Sequence, residues 1–234
     1  MLQINDLQVR YGDFIAVDSC SLQIDPGRIL ALIGTNGAGK TSLLNTAAGL
    51  IRPVSGQVYF NSEEITGLRA DEVIGRGLCL VPQGGRCFSR MSVQDNLLVG
   101  SYPKAARARA KDSLEKVYSL FPDLRDRRSA PAGSLSGGQR QMVAIGRALM
   151  SRPKCLMFDE ISLGLAPVII RDLYECIRRI NREDGTTIVL VEQDTGRALE
   201  IADSFAVMLK GSVTMTGSAA DPDFEKIKTA YFGM

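Results

Sequence analysis

The chain has 234 residues, with 28 lysines and arginines against 26 acids for a net charge of +2, and 45% of its residues are hydrophobic. This composition excludes an extended disordered chain and carries no cationic footprint for nucleic acid, while the length suits one globular unit with a well-buried core. Histidine is absent, so the commonest general base and metal ligand is unavailable, and any catalysis falls to carboxylates, lysine, hydroxyls or a metal ion.

The first third reads as short β-rich segments at residues 2–9, 17–24, 29–33 and 57–60, punctuated by turns at Tyr11-Gly12, Pro26-Gly27 and Pro53-Val54-Ser55-Gly56. The third segment runs into a glycine-rich stretch that opens directly into a predicted helix over 40–50. Over 92–120 the apolar residues Val93, Leu97, Leu98, Leu114, Val117 and Leu120 recur at three or four, a helical block without a strand signal. Residues 104–128 carry eight basic side chains against four acidic ones. They read as a solvated helical face, with docking to a partner or to lipid headgroups as the alternative. A helix opening at Ser136, a strand at 155–158, a helix at 167–182 and a strand at 187–191 follow. From Ser204 the pattern gives two short strands and a last helix over 224–232. Strands alternating with helices predict a mainly parallel sheet.

No apolar run approaches the ~18–20 residues of a membrane-spanning helix. The opening Met1-Leu2-Gln3-Ile4-Asn5-Asp6 lacks the basic region and apolar stretch of a secretory signal, so the expectation is a cytoplasmic protein. The five cysteines are scattered without a Cys-x-x-Cys pair and are expected to be free thiols.

Gly34-Thr35-Asn36-Gly37-Ala38-Gly39-Lys40-Thr41 fits G-x-x-x-x-G-K-[ST] between a predicted strand and a predicted helix. Glycines permit positive φ and close approach, so backbone N–H groups can point inward at phosphate oxygens, reinforced by the positive end of the helix dipole. Lys40 is expected to reach the β and γ phosphates of a nucleotide and Thr41 to ligate Mg²⁺, with Ser42 next to it at the same site. This loop alone leaves kinases and GTPases open. Cys155-Leu156-Met157-Phe158-Asp159-Glu160 is an apolar strand ending in two acids, which places the carboxylates where parallel sheets bind ligands. Asp159 is expected to hold the Mg²⁺ shell, and Glu160 to orient and polarise the attacking water.

Leu135-Ser136-Gly137-Gly138-Gln139-Arg140, followed by residues 141–149, resembles the signature sequence of the ABC ATPases. Physically it is a second anion site. Ser136 can cap the helix while Gly137 and Gly138 expose N–H groups at its positive end. A cap accounts for the serine, but not for two glycines that each cost ~1 kcal/mol in a first helical turn.

The resemblance implies an α/β phosphate-loop cassette with a mainly parallel core sheet, an N-terminal antiparallel β region and a helical subdomain at 84–134. The core would be formed by 1–83 and 135–234. It implies that Ser136, Gly137, Gly138 and Gln139 of one subunit clasp the γ-phosphate held by Lys40 of another, in a head-to-tail dimer with two ATP molecules. It assigns Tyr11 to stacking on adenine, Gln83 to Mg²⁺ and water, and Gln193 to the position where most ABC ATPases have a switch histidine. A glutamine amide can donate to the γ-phosphate but cannot take a proton.

Residues 162–167, Val191-Glu192-Gln193, residues 198–203 and the terminal Ala230-Tyr231-Phe232-Gly233 resemble the LivF-like branch, which energises branched-chain amino acid uptake. ATPases for urea or short amides share much of this pattern. Gln83 stands where this branch is expected to have glutamate, and Ile161 replaces the usual proline after Glu160. The implied partners are two transmembrane permease subunits, a second ABC ATPase or a second copy of this chain, and indirectly a solute-binding protein. The implied location is peripheral, on the cytoplasmic face of the membrane, with residues 84–102 transmitting motion. An exporter, an inactive regulatory subunit and a soluble ABC ATPase acting on nucleic acid or ribosomes are the competing readings; the last group usually carries two fused cassettes or long coiled-coil insertions.

Overall fold

A computed structural model describes residues 1–232; Gly233, on which part of the branch resemblance falls, lies outside the described residues together with Met234. Strands β1 (Leu2–Tyr11) and β2 (Phe14–Ile24) form an antiparallel hairpin. Its tight turn is permitted by Gly12 at φ 60. Next come β3 (Ile29–Ile33), α1 (Lys40–Ala47), β4 (Ser55–Phe60), β5 (Glu63–Glu64), α2 (Ala70–Arg76) and β6 (Leu78–Val81). The helical block resolves into α3 (Val93–Val99), α4 (Lys104–Arg107), α5 (Ala110–Leu120) and α6 (Pro122–Asp126). Then follow α7 (Gly137–Leu149), β7 (Cys155–Asp159), α8 (Pro167–Asp184), β8 (Thr187–Glu192), α9 (Thr195–Ile201), β9 (Ser204–Leu209), β10 (Ser212–Ser218) and α10 (Phe224–Phe232).

Two sheets result, in the order β2-β1-β4-β5 and β10-β9-β3-β8-β7-β6. The first is antiparallel, and the second is parallel except where β10 pairs with β9. The parallel strands are apolar at nearly every position because both their faces are covered. On one face Leu30, Leu32, Met157, Val189 and Val191 pack with Leu43, Leu44 and Ala47 of α1 and with Val58 and Phe60 of the antiparallel sheet. On the other, Leu156, Phe158, Ile188 and Leu190 pack with the apolar stripes of α7 and α8 and with Val93, Leu97 and Val117. Helix α1 is thereby held with its first residue, Lys40, at the carboxyl end of β3.

Several element bounds differ from expectation. The helix predicted over 40–50 ends at Ala47, just before Gly49 takes φ 73. The block over 92–120 is divided where Gly100 caps α3 and Pro103 opens α4. Elements α2, β6 and α9, each seven residues or fewer, lie outside the predicted set, although Glu72 accepts from Arg69 N at the start of α2 and Asp194 caps α9.

Candidate active site

The loop joining β3 to α1 has a steric reason for its glycines. A Cβ at Gly34 would lie 2.2 Å from the Met208 carbonyl oxygen, and one at Gly39 would lie 2.2 Å from that of Ala16. Gly39 takes φ 102 and Gly37 takes φ 80, and a Cβ at Gly37 would meet nothing within 4 Å. Gly37 therefore faces open space, where a ligand can approach the backbone. Asn36, Gly37, Ala38, Gly39, Lys40, Thr41 and Ser42 line a cleft of about 440 Å³ whose other walls include Tyr11, Gln83, Glu160 and Gln193. Tyr11 is half exposed and its hydroxyl lies 3.3 Å from Ser42 Oγ. Phe14 and Leu163 also border the cleft, although no motif singles them out as site residues.

Lys40 is buried. Its ammonium donates to the carbonyls of Gly34 (2.8 Å) and Thr35 (3.0 Å) and lies 3.6 Å from Glu160 Oε1. Burial pushes this lysine below its usual pKa range, and the Glu160 carboxylate pulls it back. The lysine is thus a desolvated cation beside the glycine-rich loop, a setting that strengthens its attraction for a phosphate.

At the end of β7, Asp159 Oδ1 accepts from Thr41 Oγ1 at 3.1 Å. Burial raises the Asp159 carboxyl above the usual carboxylate range, opposed by that hydrogen bond. Glu160 is the focus of the site. Its Oε2 accepts from Gln193 Nε2 at 2.7 Å and from Gln83 Nε2 at 3.4 Å. Its backbone sits at φ 47, a left-handed conformation costly for a non-glycine residue and concentrated at functional sites. Thr41, Gln83 and Asp159 border an adjoining cavity of about 370 Å³. Their donors are a hydroxyl, a side-chain carbonyl and a carboxylate, hard oxygens that suit Mg²⁺, which is commonly held by one or two carboxylates and completes its shell with phosphate and water. Among the described residues no three His, Cys, Asp or Glu side chains gather as a metal cage.

The signature segment opens α7. Ser136 Oγ accepts from Gln139 N, and Gln139 Oε1 accepts from Ser136 N, both at 3.2 Å, a reciprocal capping box. The structure supplies a packing reason for one of the two glycines: a Cβ at Gly138 would meet Ile169 Cγ2 at 2.7 Å. Gly137 is exposed, with only Leu165 Cδ2 at 3.6 Å from such a Cβ, so packing does not demand it. The residues lining the Lys40 cleft do not include any of Ser136, Gly137, Gly138 and Gln139. The Lys40 cleft and the opening of α7 are therefore separate surfaces of one chain.

Fold and loop together define a phosphate-loop nucleotide-binding cassette. The ABC transporter family model matches residues 17–162. The chain is 41% identical over its whole length, and over all of the relative's, to the high-affinity branched-chain amino acid transport ATP-binding protein BraG of Pseudomonas aeruginosa. It is 33% identical to the probable branched-chain amino acid transport ATP-binding protein LivF of Archaeoglobus fulgidus, covering 97% of this chain and 98% of the relative. Among solved structures it is similar to a dimeric ATP-binding cassette in a post-hydrolysis state bound to ADP and Pi, with a TM-score of 0.78, 25% identity, and coverage of 94% and 99% of the two chains. The chain belongs to the ABC transporter family.

Proposed function

We propose that this chain is the ATP-hydrolysing subunit of an ABC importer for branched-chain or other hydrophobic amino acids. The observation that carries the catalytic part is the convergence of Lys40, Gln83 and Gln193 on the carboxylate of Glu160, at the end of a buried strand and beside a phosphate-binding loop. Full-length identity to BraG supports the solute class.

Phosphoryl transfer depends on positioning and charge stabilisation, and the site divides these tasks. The N–H groups of residues 34–39 cradle the phosphates of ATP and Lys40 neutralises the β and γ groups. Tyr11 stacks on adenine. Thr41, Asp159 and Gln83 would hold Mg²⁺, which when bound offsets charge on the phosphate oxygens. Glu160 accepts a hydrogen bond from the attacking water and orients it. Gln193 holds Glu160 by its amide and can donate to the γ-phosphate.

The γ-phosphate is met from outside by Ser136, Gly137, Gly138 and Gln139 of a second cassette, either another copy or a similar ATPase. Two permease subunits and, through them, a solute-binding protein complete the assembly at the cytoplasmic face of the membrane. The transmembrane path is assigned to those permeases, and no helix of the described residues is long and apolar enough to cross a membrane. Within the chain, residues 84–134 act as a helical subdomain on a core formed by 1–83 and 135–234. Differential affinity of ATP for the closed pair is the source of mechanical work. Reconstituting the chain with its companion permeases and measuring leucine uptake against urea uptake tests the assignment. ATP-driven leucine accumulation supports it, and urea accumulation alone contradicts the solute class.

A further inference from the structure

One buried carboxylate takes no part in the chemistry assigned to Glu160 and its neighbours. Glu192, the last residue of β8, is almost wholly inaccessible at 2% exposure. It pairs in register with Ile33, the residue before the phosphate loop. Alternation along β8 turns Val189 and Val191 toward α1 and puts Glu192 on the opposite face with Ile188 and Leu190. There its Oε2 accepts a 2.6 Å hydrogen bond from Ser162 Oγ. The Tyr174 hydroxyl of α8 faces the same carboxylate closely enough to interact with it, although neither it nor Oε1 closes a hydrogen bond of ordinary geometry. Burial raises the Glu192 carboxyl above its usual range.

A carboxylate is costly to desolvate, and an apolar residue would fill this position in the sheet at lower cost. What Glu192 adds is a short, charge-assisted tether. Ser162 belongs to the loop that leaves β7 through Glu160, and Gln193 follows Glu192 directly. The Ser162–Glu192 bond therefore ties the loop bearing Glu160 to the strand end bearing Gln193, and the tied groups are the two that meet at 2.7 Å. Glu160 needs such a restraint because its own backbone, at φ 47, is held in a conformation it would leave if released.

We propose that Glu192 is a positioning residue for ATP hydrolysis, acting through Ser162 to keep Glu160 and Gln193 in mutual register. This rests on the reading of the chain as an ATPase. The test compares Glu192→Leu, Glu192→Gln and Ser162→Ala, each in the full chain assembled with its companion subunits. Glu192→Leu should lower kcat by about 10- to 100-fold, the scale expected when a reacting group shifts by a fraction of an ångström to one ångström. ATP affinity should stay within about threefold and thermal stability should not fall. Glu192→Gln retains an acceptor for Ser162 and should restore most of kcat. Ser162→Ala should reproduce the loss even if Glu192→Leu fails to fold. Wild-type kcat in Ser162→Ala, or equal loss in Glu192→Gln and Glu192→Leu, overturns the proposal.

An NMR readout stands independently of turnover. The Gln193 side-chain amide signal of the isotope-labelled full chain should move in Glu192→Leu and Ser162→Ala. An unmoved signal overturns the positioning role. Absence of ATPase activity in the wild-type assembly would count against the proposed function instead.

Discussion

Glu160 gathers the contacts that distinguish this site, so its substitution separates binding from chemistry. Glu160→Gln keeps the size and hydrogen-bonding capacity of the side chain but removes its basicity. ATP binding measured by calorimetry should persist, while steady-state hydrolysis should fall by about 10²-fold or more, the scale of a lost general base; wild-type turnover would remove Glu160 from its assigned role. The cysteines give a second residue-scale test. Burial pushes the thiols of Cys20 and Cys79 up to about 11 and those of Cys155 and Cys176 up to about 12, so at pH 8 roughly one in a thousand or fewer is thiolate. Half-buried Cys87 should therefore react first with a thiol reagent in native protein, and all five of the cysteines only after unfolding. Fast native labelling of Cys155 would contradict its burial in β7. Lys40, Asp159 and Glu160 were legible in the sequence because contiguous motifs carry them. Glu192 was not, since its importance arises from Ser162, thirty residues away, and no local pattern encodes that meeting.

Helices and strands follow the same division between local and distant causes. Strand β3 could be read residue for residue, because five consecutive apolar residues end at a glycine-rich loop. Helix α7 was legible from its serine cap. Strand β6 has only four residues before Pro82, and α9 carries Gly196 in its first turn. β6 is held by pairing with β7 at the edge of the parallel sheet, and α9 by packing on β3 and β8. Gly138 shows the same limit, since its contact with Ile169 of α8 exists only in three dimensions. Two glycine substitutions test this packing. A Cβ at Gly100 would lie 1.9 Å from the Arg147 carbonyl oxygen, where α3 meets α7, so Gly100→Ala should destabilise by about 1–3 kcal/mol or more. Gly75, exposed within α2, has nothing within 4 Å of such a Cβ; Gly75→Ala should stabilise by about 0.5–1 kcal/mol. Urea denaturation reads both, and equal effects would refute the packing assigned to Gly100.

At the scale of the whole molecule, the chain displays the cleft around Lys40 and a capped, glycine-bearing helix start that is not part of that cleft's lining. The proposed pairing of two cassettes would bring one such surface from each to a single nucleotide. Gly137 offers a substitution that separates the pair from the fold. It is exposed with room for a side chain, and an acid in the first turn favours the helix through its dipole while repelling a triphosphate. The most direct measurement is sedimentation velocity of the Glu160→Gln chain with its companion ATPase in saturating Mg-ATP, with and without Gly137→Asp. ATP-dependent association that is lost on adding Gly137→Asp, with the melting temperature unchanged or raised, is the predicted result. Association equally strong with the aspartate in place would contradict a nucleotide shared between two cassettes.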